Sequence, residues 1–206
     1  DLPNQFVINI QPWELEPLSA FLGQHGINSQ LYPMIRGRLS AINDRSPASL
    51  LNGEQMRHNA LHRELNLSWS SVAPPHNPII SGHWWSADST EQTLSIEQEM
   101  ADSLGLKLGD SLTFDLAGQQ HRATIRNIRA VDWRSFEPNF YIILSPNGLE
   151  HFPQTYITSF RLETEQQPIA RQLLAQFPAL TLIDVEQWIR QARQLIAQLV
   201  EASGII

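Results

Sequence analysis

Two histidines four residues apart, His58 and His62, would share one face of a helix, the spacing at which paired imidazoles can hold zinc. Zinc needs three or four ligands, however, and the motif that adds a general base is incomplete, because Asn59 stands where it carries Glu. Solvated surface histidines explain the pair more simply, and no metal site is expected. Ser68, Ser70 and Ser71 cluster around Trp69, but without the flanking glycines that lift a hydrolase nucleophile onto a sharp turn. Glu97, Glu99 and Asp102 lie close together, yet general acid–base work needs carboxylates that converge on a cleft. Here they sit near the start of a surface helix, where the helix dipole favours negative charge. No glycine-rich phosphate cradle of either common type is present, so no nucleotide cofactor is expected.

The remaining candidates are contact residues. Trp84 and Trp85 follow Gly82 and His83, and in an extended backbone adjacent indoles point to opposite sides. One can be core while the other faces solvent or a partner, with core packing the default. His83, Trp84 and Trp85 are therefore candidate partner or substrate contacts. Nucleic acid is an unexpected partner: 21 Asp and Glu against 14 Lys and Arg give a net charge of −7, with no basic run. The absence of cysteine excludes disulfides and thiolate metal sites without identifying a compartment.

These residues must be held by elements whose pattern is legible. Phe6 to Ile10 reads as a strand, Pro12 as the first turn of a helix, and Leu15, Leu18, Phe21 and Leu22 as its apolar face. Gly26 is a C-cap, and a second strand runs from about Ile27 towards Ile42. The same order returns later: a strand from Tyr156 to Leu162, a helix opened by Pro168 with Ile169, Leu173, Leu174 and Phe177 inward, and a strand from Leu180 to Ile183. A lone unit of this kind leaves a sheet face open, so both are expected to form one split α/β domain. Between them the chain is mostly β. Leu65, Leu67 and Trp69 alternate, and Leu112 to Leu116 returns through Ala117-Gly118 as a hairpin. Ser95 with Gln98 reads as a capping box that opens a helix ending at Gly105. Phe140 to Leu144 reads as a buried strand. The fold class is thus α+β, with residues 1–47 and 154–206 forming the split domain and residues 48–153 an inserted one.

The last element carries most of the functional expectation. Asp184 caps a helix, with Gln187 at the capping-box position, and Val185, Trp188, Ile189, Ala192, Leu195, Ile196, Leu199 and Val200 recur at helical spacing. It is too polar to span a bilayer and long enough to be a stalk leading into one, with Trp188, Ala192, Leu195 and Leu199 as coupling residues. The plain alternative is an ordinary C-terminal amphipathic helix packed on the sheet, and its early turns are expected to pack there. The chain opens without Met and runs into Gly204-Ile205-Ile206 with no cap or polar tail. That is expected either of a loop lying between two membrane spans or of a trimmed soluble protein.

The stretch Gly82-His83-Trp84-Trp85, the run from Ser95 to Asp110 containing Leu104-Gly105-Leu106-Lys107-Leu108-Gly109-Asp110, and Leu112-Thr113-Phe114 resemble the periplasmic core domain of MacB/LolC/FtsX-like permeases. His83 stands where that family commonly has Arg. Val131-Asp132-Trp133 and the segment from Pro138 to Phe160 look more like the YbbP-type subgroup. The resemblance implies a split "porter" subdomain and an inserted "sabre" subdomain between the first two of four membrane helices, on the periplasmic face of the bacterial inner membrane. It further implies a cytoplasmic ABC ATPase partner, a non-catalytic mechanical role, lipophilic cargo, and association with a periplasmic thioesterase or lysophospholipase. Two alternatives stay open: a soluble periplasmic binding or chaperone module using Trp84 and Trp85, and a small hydrolase using Ser70, Ser71 and His62.

Overall fold

The structure is a computed structural model that describes residues 2–204, so Ile205 and Ile206 lie outside the described residues. The elements run β1 (Gln5–Ile10), α1 (Leu15–Gln24), β2 (Tyr32–Ile42), α2 (Pro47–Leu50), β3 (Leu65–Trp69), β4 (Ile79–Gly82), β5 (Thr93–Glu97), α3 (Gln98–Leu104), β6 (Ser111–Leu116) and β7 (Gln119–Arg129). They continue with β8 (Ile142–Leu144), β9 (Thr155–Phe160), α4 (Gln167–Gln176), β10 (Thr181–Asp184) and α5 (Val185–Ser203). The chain divides into two compact units. One holds the residues up to Leu31, Ser135–Pro138 and those from Tyr156 onward; the other holds Tyr32–Arg134 and Asn139–Thr155.

In the first unit β1 is the central strand, antiparallel to β10 on one side and to β9 on the other. β9 and β10 are therefore parallel to each other, and α4 is the crossover that joins them around β1, a split βαβ arrangement. Asn4 extends the ladder with its side chain: its Nδ2 donates to Leu162 O and its Oδ1 accepts from Leu162 N, both at 2.9 Å. α1 starts where Gln11 N donates to Glu14 Oε1 and Pro12 supplies a preset φ. It ends where Gly26, at φ 71°, lets Ile27 N reach back to Leu22 O. Val7, Ile10, Leu18, Phe21, Leu173 and Phe177 form the core, with the Phe21 and Phe177 rings edge-on at 6.2 Å. Leu174, expected on the inner face of α4, is exposed instead. One residue step turns a helix by about 100°, and Leu173 takes the buried direction.

α5 departs from expectation in two respects. Asp184 Oδ1 does accept from Gln187 N, so the N-cap is as read. No residue of the helix is buried, however, and its first turns do not pack into the core. Nor does it stop uncapped: Gly204 takes φ 71° and its N–H donates to the carbonyls of Val200 and Glu201.

In the second unit the strand pairings close on themselves. β2 pairs with β3, β3 with β8, β8 with β5, β5 with β7, β7 with β6, and β6 with β2 again, while β4 adds to β7. Closure leaves no open edges within the ring of six and gathers one side-chain layer inside it. That layer includes Leu39, Leu67, Leu94, Ile96, Leu112, Phe114, Ile125 and Leu144, with Met100 and Leu104 of α3 against it. β2 starts at Tyr32 rather than near Ile27. The hairpin turn is as read: Leu116 lies opposite Gln119, and Ala117 and Gly118 take φ 50° and 84°. Two consecutive left-handed residues give the turn whose twist matches the flanking strands. Ser95 is a correction. It lies inside β5, and the N-cap is Glu97, whose Oε2 accepts from Met100 N at 2.8 Å. The alternation Leu94, Ile96 extends the strand two residues past Ser95, and the backbone bends only at Glu97.

Candidate functional site

The residues that could have done chemistry are mostly tied into local structure. His58 and His62 lie on two short turns of 3-10 helix and the residues flanking them, not on one helix face. His58 Nδ1 accepts from Ala60 N, and His62 Nε2 meets Met56 O. Ser70 Oγ donates to Val72 O at 2.7 Å, a local turn contact. Glu97 is buried as a helix cap, while Glu99 and Asp102 are exposed on α3, so the three carboxylates do not converge. Among the described residues no group of three His, Asp or Glu could hold a metal ion.

The segment after β4 brings His83, Trp84 and Trp85 together in an unexpected way. The two indoles lie on the same side, with ring centroids 4.0 Å apart and planes at 31°. They do not alternate because the segment is not a strand: Gly82, at φ 77°, turns the backbone out of β4 first. Trp84 Nε1 donates to Ser71 O at 3.0 Å and Trp85 Nε1 to Ser70 O at 2.9 Å. Trp85 is buried, Trp84 half-buried and His83 exposed. Gly82 has no room for a side chain, since a Cβ there would lie 2.2 Å from Arg126 O.

The second candidate surface is α5. Trp188, Ala192, Leu195 and Leu199 are all exposed, as are Ile189 and Ile196 of the same apolar stripe. Its base is firmly tied. Val185 N donates to Asn4 O at 2.9 Å, and Gln5 lies opposite Asp184 in the sheet. Arg161 bonds Glu163 at 2.8 Å, Leu2 O at 3.1 Å and Glu186 at 3.5 Å. The strand that starts at Gln5 and the helix that starts at Val185 therefore begin side by side, at one end of one sheet. No helix among the described residues is long and apolar enough to cross a membrane.

One buried polar cluster was not anticipated. Arg129 is fully buried; its guanidinium donates to Ser95 Oγ at 2.9 Å, to Asn77 Oδ1 at 3.0 Å and to Phe140 O. Burial pulls its pKa down to about 10, partly opposed by the charge of Glu97, which lies across from it in β5. The signal was there in the pattern, because His121, Ala123, Ile125, Asn127 and Arg129 are the inward positions of β7 at period two. Asp110 is likewise more than a turn residue. Burial raises its pKa, but bonds from Lys107 N, Asn43 Nδ2 and Lys107 Nζ outweigh that and hold the carboxyl below its ordinary value.

No protein-family model matches the chain. By sequence the chain is similar to part of an ABC transporter permease. It is 39% identical, over 215 aligned residues and 99% of its length, to the uncharacterized ABC transporter permease YbbP of Escherichia coli (strain K12). The chain spans 26% of that permease. Its backbone also resembles the crystal structure of the periplasmic region of MacB from Actinobacillus actinomycetemcomitans, with a TM-score of 0.48 and 8% identity. That likeness covers 93% of this chain and 92% of the other.

Proposed function

We propose that this chain is the periplasmic domain of an ABC transporter permease, at the inner membrane, and that it moves as a body when a cytoplasmic ATPase turns over. The observation that carries this is the shared base of β1 and α5, where Gln5 lies opposite Asp184 and Val185 N bonds Asn4 O. A domain inserted between two consecutive membrane helices must receive and return the chain at one place, and a stiff helix rooted there acts as a lever. In this reading residues 1–47 with 154–206 are the porter part and residues 48–153 the sabre part, with β2 (Tyr32–Ile42) reaching from the first into the compact unit of the second. Trp188, Ala192, Leu195 and Leu199 form the stalk surface. The domain itself carries out no hydrolysis, and a lipophilic cargo is the substrate class proposed.

Hydrogen exchange on the full-length permease with its ATPase tests this without knowledge of the cargo. ATP is expected to change protection along residues 185–203 and in β1 and β10. Ala192→Pro, which costs about 3 kcal/mol in a helix interior, should abolish the change on the sheet side of residue 192, whereas Ala192→Ser should not. An exchange pattern indifferent to ATP throughout the domain would overturn the reading.

The proposed periplasmic partner, a thioesterase or lysophospholipase, should co-purify with the intact permease and be lost when this domain is deleted. Within the alternative reading as a binding module for hydrophobic ligands or a protein partner, His83 and the outer face of Trp84 are the contact residues, since Trp85 is enclosed.

A further inference from the structure

The second unit contains an open cleft of about 330 Å³, at the small end of the range for small-molecule sites. Its lining includes Arg57, His58, Arg63, Leu65, Met100 and Tyr141, and no acidic residue, in a chain where acids outnumber bases by 21 to 14. Arg57 donates from Nε to Gly53 O at 3.2 Å, and among the described residues its guanidinium pairs with no carboxylate. Arg63 meets no carboxylate among the described residues. His58 accepts the Ala60 amide at Nδ1, so in the neutral ring the proton sits on Nε2 as a further donor. The segment carrying these groups is braced by local bonds: Asn52 and Gln55 cap each other at 2.9 Å and 2.8 Å, and His62 is tied to Met56 O. Leu65 and Met100 are buried and give the cleft an apolar floor, while the Tyr141 ring lies 4.8 Å from that of Trp133.

We propose that this cleft binds a phosphate-ester anion, with Arg57, Arg63 and His58 donating to its oxygens and Met100 and Leu65 receiving the attached carbons. Two exposed arginines lining one cleft, with no carboxylate in its lining, are suited to a tetrahedral oxyanion, whose several acceptors accommodate forked donors. The proposal stands whether or not the chain acts within a transporter.

The test is calorimetric titration of the 206-residue chain at low salt with inorganic phosphate and glycerol 3-phosphate, beside co-sedimentation with phosphatidylglycerol and phosphatidylcholine vesicles. Binding of the soluble esters alone identifies a soluble phosphorylated ligand, and binding of phosphatidylglycerol vesicles identifies a lipid headgroup; either supports the site. The double variant Arg57→Gln/Arg63→Gln should weaken whichever probe binds by about tenfold or more, with an unchanged melting temperature. Arg57→Lys/Arg63→Lys should recover part of that loss, and Arg171→Gln/Arg193→Gln, of equal charge change on α4 and α5, should shift binding by less than about twofold. The site is overturned if no probe binds, or if the distant pair weakens binding as much as the cleft pair.

Discussion

Arg129 is the side chain whose removal should matter most inside the second unit. Its guanidinium satisfies Asn77 Oδ1, Ser95 Oγ and Phe140 O in a fully buried setting, so Arg129→Met strands buried acceptors as well as Glu97 across the strand pair. A loss of about 3 kcal/mol is expected from the urea midpoint, with Arg129→Lys intermediate because an ammonium cannot reproduce the planar fork. Gly82→Ala should cost a similar amount, about 3 kcal/mol, since it adds a Cβ at positive φ against Arg126 O. His121 sets a pH dependence. Burial opposite Phe114 lowers its pKa below 6.5, so the unfolded chain binds a proton more readily than the folded one. Stability therefore rises with pH between the lowered folded value and 6.5, and is lost as pH falls through that window. Urea midpoints from about pH 7.5 down to about pH 5 should fall less for His121→Leu than for wild type. Asp110 does not confuse the result: its carboxyl lies below 3.8, so its contribution is present above that value and is lost only in stronger acid.

At the scale of elements, α4 and α5 have the same kind of pattern and opposite fates. Leu173 is enclosed with Phe177 and Leu18, so Leu173→Ala should cost about 2–4 kcal/mol in the isolated chain. Leu195 and Leu199 are exposed, and Leu195→Gln/Leu199→Gln should change its stability by less than about 0.5 kcal/mol. If the double change proves as costly as Leu173→Ala, then α5 packs on its own chain and is no stalk. Periodicity finds both helices because it reports an apolar face, but it cannot say whether the covering surface is in the same chain. The same limit explains the other differences. Strand alternation through Leu94 and Ile96 competes with the capping signal at Ser95, and only strand pairing with β7 and β8 decides between them. The rule for extended chain puts Trp84 and Trp85 on opposite sides, and Gly82 suspends that rule just before them. The hairpin at Ala117-Gly118, the Asp184 cap and the Gly105 helix end were legible because each depends on its immediate neighbours. Arg129 was legible only through the period-two pattern of β7, against the expectation that a charge faces water.

At the scale of the molecule, each unit has its own core. The chain's start and the root of α5 belong to the same unit. If that unit transmits movement, its central strand and its last strand must not separate while it does so. Phe6 and Ile183 lie directly opposite in the β1–β10 pair and are both half-buried, and the chain has no cysteine of its own to interfere. Facing positions of an antiparallel pair hold their Cβ atoms about 4.5–5.5 Å apart, which small adjustments bring within disulfide reach. Phe6→Cys/Ile183→Cys should therefore cross-link under mild oxidation in the isolated chain. In the full-length permease the cross-link should leave the ATP-dependent exchange of α5 intact, because it only locks strands that already travel together. A cross-link that forms in the isolated chain and abolishes the response in the permease would mean that β1 and β10 part during the cycle. The lever would then have no fixed root, and the mechanical reading of this domain would fail.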